Sequence, residues 1–264
     1  METSQGNAAQ APITGNVLFY NKPEPLNFQV HGKLGVKQID EPFGFLREAH
    51  AVPVTTTEFG MAATSYPIIF VGDDLTPVAV MGVRSGENLY VTKDGRTEPN
   101  YYVPAFVRRY PFVFAADSNS DQLLLCVDSE APMVSDTPDV AFFENGEPSK
   151  FTNDAIEFCK EFERQRSGTS NFIALMKKHD LFEQKTVSFQ PRDAQGNAAG
   201  DPQKIADYMA ISEERFNALS AEAHEEIRTS GATGIIYAHL VSLLLWPRVI
   251  HKALETVGNA QNKA

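Results

Sequence analysis

The stretch Tyr66-Pro67-Ile68-Ile69-Phe70-Val71-Gly72-Asp73-Asp74-Leu75-Thr76-Pro77-Val78-Ala79-Val80-Met81-Gly82-Val83 decides the fold. Short apolar runs stand on either side of Gly72-Asp73-Asp74, the pattern of two antiparallel strands joined at a turn. Outward from it the alternation continues through Asn88-Leu89-Tyr90-Val91, the turn Lys93-Asp94-Gly95 and Phe112-Val113-Phe114. Gln122-Leu123-Leu124-Leu125-Cys126-Val127 follows across Asp117-Ser118-Asn119-Ser120-Asp121. This regular spacing predicts an antiparallel meander over 66–127. Upstream, Thr55-Thr56-Thr57-Glu58 has the spacing of a capping box and starts a short helix through Ala63 that stops before Pro67.

Beyond the Pro- and Asp-rich link from Ala131 to Pro148 the apolar period lengthens. Thr152 to Arg166 aligns Ile156, Cys159 and Phe162, and Thr169 to Lys178 aligns Phe172, Ile173 and Met176, which predicts a helical hairpin. Lys185 to Gln190 and Ile205 to Ile211 read as strands around a polar stretch with Gly196 and Gly200. Ser212 to Leu219 and Ser220 to Ile227 read as short helices. The segment from Thr233 to Val257 is apolar on nearly all sides in its first half, which predicts a central buried helix, with Pro247 kinking it or starting a second one. The expected class is α+β: an antiparallel, meander-rich N-terminal half (17–130) packed against a mainly helical C-terminal half (149–257) in one domain, with flexible tails at 1–16 and 258–264.

One segment stands out chemically. Tyr101-Tyr102-Val103-Pro104-Ala105-Phe106-Val107-Arg108-Arg109-Tyr110-Pro111-Phe112-Val113-Phe114 packs six aromatic residues and two adjacent arginines into fourteen positions of a chain that is 10% aromatic. Guanidinium does not deprotonate in proteins, so arginines held among rings need carboxylate, phosphate or carbonyl oxygens. The segment is either a structural ion-pair centre or an anion site. With Pro104 opening a helical turn and Pro111 closing it, Phe106 shares a face with Arg109 and Tyr110 while Arg108 points elsewhere.

Composition sets bounds. The chain has 264 residues, 42% of them hydrophobic, a formal charge of -11 and a pI near 5.0, enough apolar content for a core and the wrong field for general nucleic-acid or anionic-membrane binding. Cys126 and Cys159 have no CxxC spacing and read as buried reduced thiols, which fits a soluble protein of the cytoplasm. Met1 to Asn16 lacks a basic region and an apolar core and does not read as a secretory signal. The apolar run Ile235 to Trp246 reaches roughly 18 Å as helix against the roughly 30 Å of a bilayer core, so no membrane span is expected.

Several blocks together resemble the bacterial SapC family: Val52-Pro53-Val54-Thr55 with Glu58, Tyr66-Pro67-Ile68-Ile69-Phe70, Gly82-Val83-Arg84 with Glu87-Asn88-Leu89-Tyr90-Val91, and Tyr102 to Phe112. The likeness runs from about Leu18 to about Leu254. It is weaker at Ile236-Tyr237-Ala238-His239-Leu240 with Ser242-Leu243, and Leu245-Trp246-Pro247 departs from the more polar family pattern. The resemblance implies a link to bacterial surface layers, the cell envelope and outer-membrane nutrient uptake. It implies no assigned enzymatic activity, catalytic residue or cofactor. The peptide-transporter permease that shares the name is a different protein with several spanning helices.

The candidate site residues are Arg108, Arg109, Arg84, Tyr110, Tyr102, Glu58 and His50. Glu58 is either a backbone cap or an acid-base group, and His50 precedes a Val-Pro step in a loop from which a site near Glu58 is reachable. His239 lies on the apolar helix as either a satisfied core group or a functional one. His224-Glu225-Glu226-Ile227-Arg228 lacks the second histidine of a zinc-protease motif, and no HxD, GxSxG, GxGxxG or GxxxxGK[ST] pattern marks a metal, hydrolase or nucleotide site. No metal or cofactor is expected. Three functions compete: a non-enzymatic binding or accessory protein for an anionic small molecule or peptide segment, an enzyme of uncharacterised type with an Arg-lined pocket for an anionic substrate, and a surface-layer structural protein.

Overall fold

The computed structural model describes residues 18–116, 123–191, 195 and 197–261. The expected tail at 1–16 and the turn Asp117 to Asp121 lie outside them. In chain order, β1 (Pro23–Pro25), α1 (Phe28–His31) and β2 (Gly35–Val36) precede β3 (Ala51–Pro53) and a 3-10 turn at Thr56–Glu58. Then come α2 (Phe59–Ala62), the hairpin of β4 (Ile68–Val71) and β5 (Thr76–Val80), α3 (Ala105–Arg108) and the hairpin of β6 (Phe112–Ala116) and β7 (Leu123–Asp128). Four short strands, β8 (Val134–Ser135), β9 (Val140–Ala141), β10 (Phe143–Glu144) and β11 (Glu147–Pro148), lead into the long helix α4 (Lys150–Lys178). β12 (Phe182–Phe189), β13 (Gln203–Ile211), α5 (Glu213–Asn217), α6 (Ala221–Thr229), α7 (Ala232–Ser242) and α8 (Trp246–Gln261) complete the chain. The class is α+β, with every named strand pair antiparallel.

Two compact units divide the chain: Met1–Pro42 with Arg109–Glu161, and Phe43–Arg108 with Phe162–Ala264. In the first, the sheets β1-β7-β6 and β8-β2-β9 and the pair β10-β11 surround a core of Phe112, Val127, Phe142 and Cys159. Gly35 permits the close approach of β2 to β9, since a Cβ there would lie 2.2 Å from the Val140 carbonyl oxygen. Cys126 and Cys159 are buried thiols outside any disulfide, and burial pushes the Cys126 thiol up to about 11.

The second unit is built on a five-stranded sheet of order β12-β13-β4-β5-β3. Its core includes Val52, Phe59, Ile68, Phe70, Ala79, Ile211, Ile227, Ile236 and Val249. α7 lies against α2, β4 and β13. From α7 the fully buried His239 accepts a bond from the Ile211 N–H at Nε2, 3.0 Å away, with its ring 5.1 Å from that of Phe70. Accepting at Nε2 requires the neutral imidazole with its proton on Nδ1. Burial pulls the pKa down from the ordinary 6.5 to about 4. Between those values the unfolded chain binds the proton and the folded one does not. Stability is therefore complete above pH 6.5 and falls as pH drops toward 4, by about 3 kcal/mol for this group. His239→Gln should flatten the slope of stability against pH between 6.5 and 4, measured by urea unfolding; identical slopes in the two proteins would contradict this account.

The structure corrects several expectations. The meander is two hairpins in different sheets: β4-β5 joins β3 and β13, while β6-β7 joins β1. Asn88 to Val91 is not a strand, and only an isolated bridge links Val91 to Thr97. The apolar character of that piece serves packing, with Tyr90 buried edge-on against Tyr66 at 4.8 Å and Tyr101 at 4.7 Å. The helical hairpin is one helix, α4, because its stripe runs on through buried Cys159, Phe162, Thr169, Phe172 and Met176; a glycine such as Gly168 weakens a helix by about 1 kcal/mol without ending it.

The C-terminal helix is only half buried. Ala232, Ile236, His239 and Ser242 face inward, while Tyr237, Val241 and Leu244 face out, Leu244 with 76% of its surface exposed. Uniform apolarity conceals which face packs. Helical structure also continues through Leu243–Leu245 into α8, so Ala232–Thr256, 25 residues, is long and apolar enough by length and composition to cross a bilayer. The shorter run read from the sequence underestimates it. Pro247 sits in the first turn of α8, where its missing N–H costs nothing, and α8 continues to Gln261, past Val257.

Candidate functional site

Glu58 organises one cluster, inside the second unit. Thr55 is extended at the entry to the 3-10 turn, and its N–H donates to Glu58 Oε2 at 2.9 Å, the return half of the capping box. The Thr55 hydroxyl donates to the same oxygen at 2.8 Å. Glu58 Oε1 accepts from the Tyr102 hydroxyl at 2.9 Å and from the Ala105 N–H at 2.6 Å, at the start of α3. A carboxylate offers about four lone-pair sites, and these four donors fill them. With 5% of its surface exposed, Glu58 ties the α3 segment to the β3-α2 connection.

Tyr102 links that carboxylate to the surface. Its hydroxyl proton goes to Glu58, and its oxygen accepts from Arg108 Nη2 at 3.2 Å. Burial, with Glu58 beside it, raises the phenol pKa, so Tyr102 remains a donor at neutral pH. Arg108 is exposed; its Nε donates to the Val103 carbonyl at 3.1 Å and its Cζ stands 5.9 Å from the Tyr102 ring centroid. On the inner side, Gln165 Oε1 accepts from the Thr57 hydroxyl at 2.9 Å and stands 3.2 Å from Thr55 Oγ1, whose proton is directed to the closer Glu58, and Thr169 Oγ1 accepts from the Thr56 N–H at 2.9 Å.

Arg109 and Tyr110 belong to the first unit. Consecutive helical residues point about 100° apart, and α3 ends at Arg108. Arg109 is buried, 7% exposed, with Cζ 6.0 Å from the Tyr20 ring centroid. Tyr20 donates to the Phe112 carbonyl at 2.5 Å and meets Tyr110 edge-on at 5.2 Å. Burial raises the Tyr20 pKa, against the opposing pull of Arg109. Tyr110 donates to Oδ2 of the fully buried Asp128 at 3.1 Å, and that carboxyl also accepts from the N–H groups of Asn21 (3.0 Å), Lys22 (2.8 Å) and Glu130 (3.3 Å).

Of the seven candidates, Glu58, Tyr102 and Arg108 form one cluster, and Arg109 and Tyr110 lie in another. Arg84 and His50 are exposed and exchange no hydrogen bond with Glu58, Tyr102 or Arg108. His50 acts through its carbonyl, which accepts from the N–H groups of Met81 at 2.7 Å and Gly82 at 2.9 Å. Among the described residues no three His, Cys, Asp or Glu side chains converge as metal ligands.

Sequence reasoning missed Gln165, Thr169 and Asp128. The first two carried a signal: polar residues at the helical phase of an apolar stripe, where a buried polar group needs a partner. Asp128 follows an apolar strand run and reads locally as its end.

A family model described as SapC matches residues 26–249, a span that includes Glu58, Tyr102, Arg108, Arg109 and Asp128. The chain belongs to the SapC family. No curated protein and no solved structure matches it. Within the SapC match, the Gly82-Val83-Arg84 block has a backbone reason for its glycine, since a Cβ at Gly82 would fall 2.0 Å from the Glu87 carbonyl oxygen. The Tyr102 to Phe112 block combines the Glu58 cluster's partners with the residues around Tyr20.

Proposed function

We propose that this SapC-family chain is a non-enzymatic binding or accessory protein of a bacterial cell-envelope or nutrient-uptake system, and that it recognises an anionic small molecule or peptide segment through Arg108 and Tyr102. The observation that carries the reading is the contrast between Glu58 and Arg108. Glu58 is saturated by four donors, so it cannot take a substrate proton without releasing part of its own loop. The exposed Arg108 guanidinium is already oriented by the Val103 carbonyl and the Tyr102 hydroxyl. That orientation lowers the rotamer entropy a ligand must offset, and the planar fork suits carboxylate or phosphate.

The chain's net charge of -11 opposes anions at long range, so recognition at Arg108 is a short-range, contact interaction. The envelope and uptake link follows the family's associations. Two buried thiols outside any disulfide fit a cytoplasmic site of action.

Thermal shift with inorganic phosphate and with a short oligoglutamate peptide tests the proposal. Wild type should gain melting temperature saturably with the peptide, Arg108→Lys should gain less, and Arg108→Ala should gain nothing. As a surface change, Arg108→Ala should itself cost less than about 1 kcal/mol. Equal shifts in wild type and Arg108→Ala, or none with either probe, would refute it.

A further inference from the structure

The sheet of the second unit ends on β12, eight residues long, and among the described residues no strand pairs with its outer side. A free edge of that length offers main-chain donors and acceptors to another strand. The register shows which ones. Leu181 pairs with Ser212, whose N–H donates to the Leu181 carbonyl at 2.7 Å, so the odd-numbered residues of β12 bond inward to β13. Phe182, Gln184 and Thr186 therefore present their main-chain groups outward, and Arg215 Nη1 already holds the Phe182 carbonyl at 2.9 Å. A bulge between Val187 and Ser188 ends the regular edge.

Charge selects the partner. Glu183 and Lys185 share one face of β12, 3.0 Å apart, and their side chains are 30% and 38% exposed. On an edge strand such charges discourage pairing with unrelated strands. Against a second copy related by a two-fold axis perpendicular to the sheet, opposed residues must share a face, so each allowed register centres on one residue. Centring on Glu183 opposes two glutamates, centring on Lys185 opposes two lysines, and centring on Thr186 runs Gln184 into the bulge. Centring on Gln184 sets each Glu183 opposite a Lys185, at non-hydrogen-bonded positions where side chains approach most closely. Gln184 then exchanges both its main-chain bonds with Gln184 of the copy, and each Phe182 N–H meets the Thr186 carbonyl of the other, leaving the Arg215 contact intact.

We propose that β12 is a self-association edge that pairs antiparallel with β12 of a second copy of this chain, in the register centred on Gln184. Sedimentation or light scattering should show a concentration-dependent species of twice the 29.1 kDa chain. Glu183→Lys and Lys185→Glu should each weaken the dimer roughly tenfold or more, because each opposes like charges at two symmetric places. An equimolar mixture of the two variants should restore a dimer containing one of each, since every glutamate then faces a lysine. That recovery cannot arise from a defect within either chain, and circular dichroism confirms that both are folded. A wild type that stays monomeric at every concentration overturns the proposal. So do variants that fail to pair when mixed, or a dimer abolished by Leu244→Asp in the exposed 3-10 turn that follows α7 and indifferent to both charge reversals.

Discussion

Glu58→Ala should lower the stability of the protein by about 3–5 kcal/mol. The substitution removes one carboxylate and strands the N–H groups of Thr55 and Ala105 and the hydroxyls of Thr55 and Tyr102. A buried donor without a partner costs about 1–3 kcal/mol, so two main-chain donors alone account for much of the loss. Glu58→Gln should lose about half as much. It keeps an oxygen for Tyr102 and Ala105 but turns an amide NH2 toward the Thr55 donors. Urea unfolding at constant m-value gives the measurement. If Glu58→Ala were within 1 kcal/mol of wild type, the carboxylate would not be structural, and a proton-transfer role for it would reopen.

Asp128→Ala should cost a similar amount, about 3–5 kcal/mol, within the other unit. Its carboxyl gathers three main-chain N–H groups from two segments far apart in sequence, around Asn21 and around Glu130, together with the Tyr110 hydroxyl. Tyr110→Phe removes one of the four donors and keeps the ring contact with Tyr20, so its loss should be about 1 kcal/mol. Amide hydrogen exchange provides a local readout. The Asn21 and Lys22 amides should lose protection in Asp128→Ala and keep most of it in Tyr110→Phe. Unchanged protection at both amides in Asp128→Ala would mean that the carboxyl does not hold the β1 approach in place.

The two losses measure what each side of the Arg108-Arg109 step depends on. Both clusters are built on a buried carboxyl surrounded by donors; Arg108 bonds the tyrosine that donates to Glu58, whereas Arg109 stands over Tyr20, whose ring meets the tyrosine that donates to Asp128. Arg108 differs in reaching solvent, and for that reason it carries the ligand proposal.

Where local chemistry is decisive, the sequence is legible. Ser212 and Ser220 cap α5 and α6, accepting from the N–H groups of Arg215 and Ala223, because an N-cap needs only a hydroxyl and the next turn of chain. The β4-β5 turn at Gly72 and the capping role of Glu58 are readable for the same reason. α4 was obscured by the polar residues on its inner face. Gln165 and Thr169 interrupt the apolar stripe and look like a helix boundary, yet both sit at the correct phase and bond the threonines of the β3-α2 connection.

The order of residues alone determined the α+β class, the family, the helix caps and the residue types at both clusters, since these depend on neighbours within a turn or on matched blocks. Tertiary structure decided what Glu58, Asp128 and the two arginines do. Their distant donors come from positions 44 to 107 residues away or from successive residues sent to different units, and a side chain's role is set by which donors and how much water surround it. It also decided which face of α7 is left exposed and which edge of the sheet is open, because a uniformly apolar helix or an isolated strand does not encode its own neighbours.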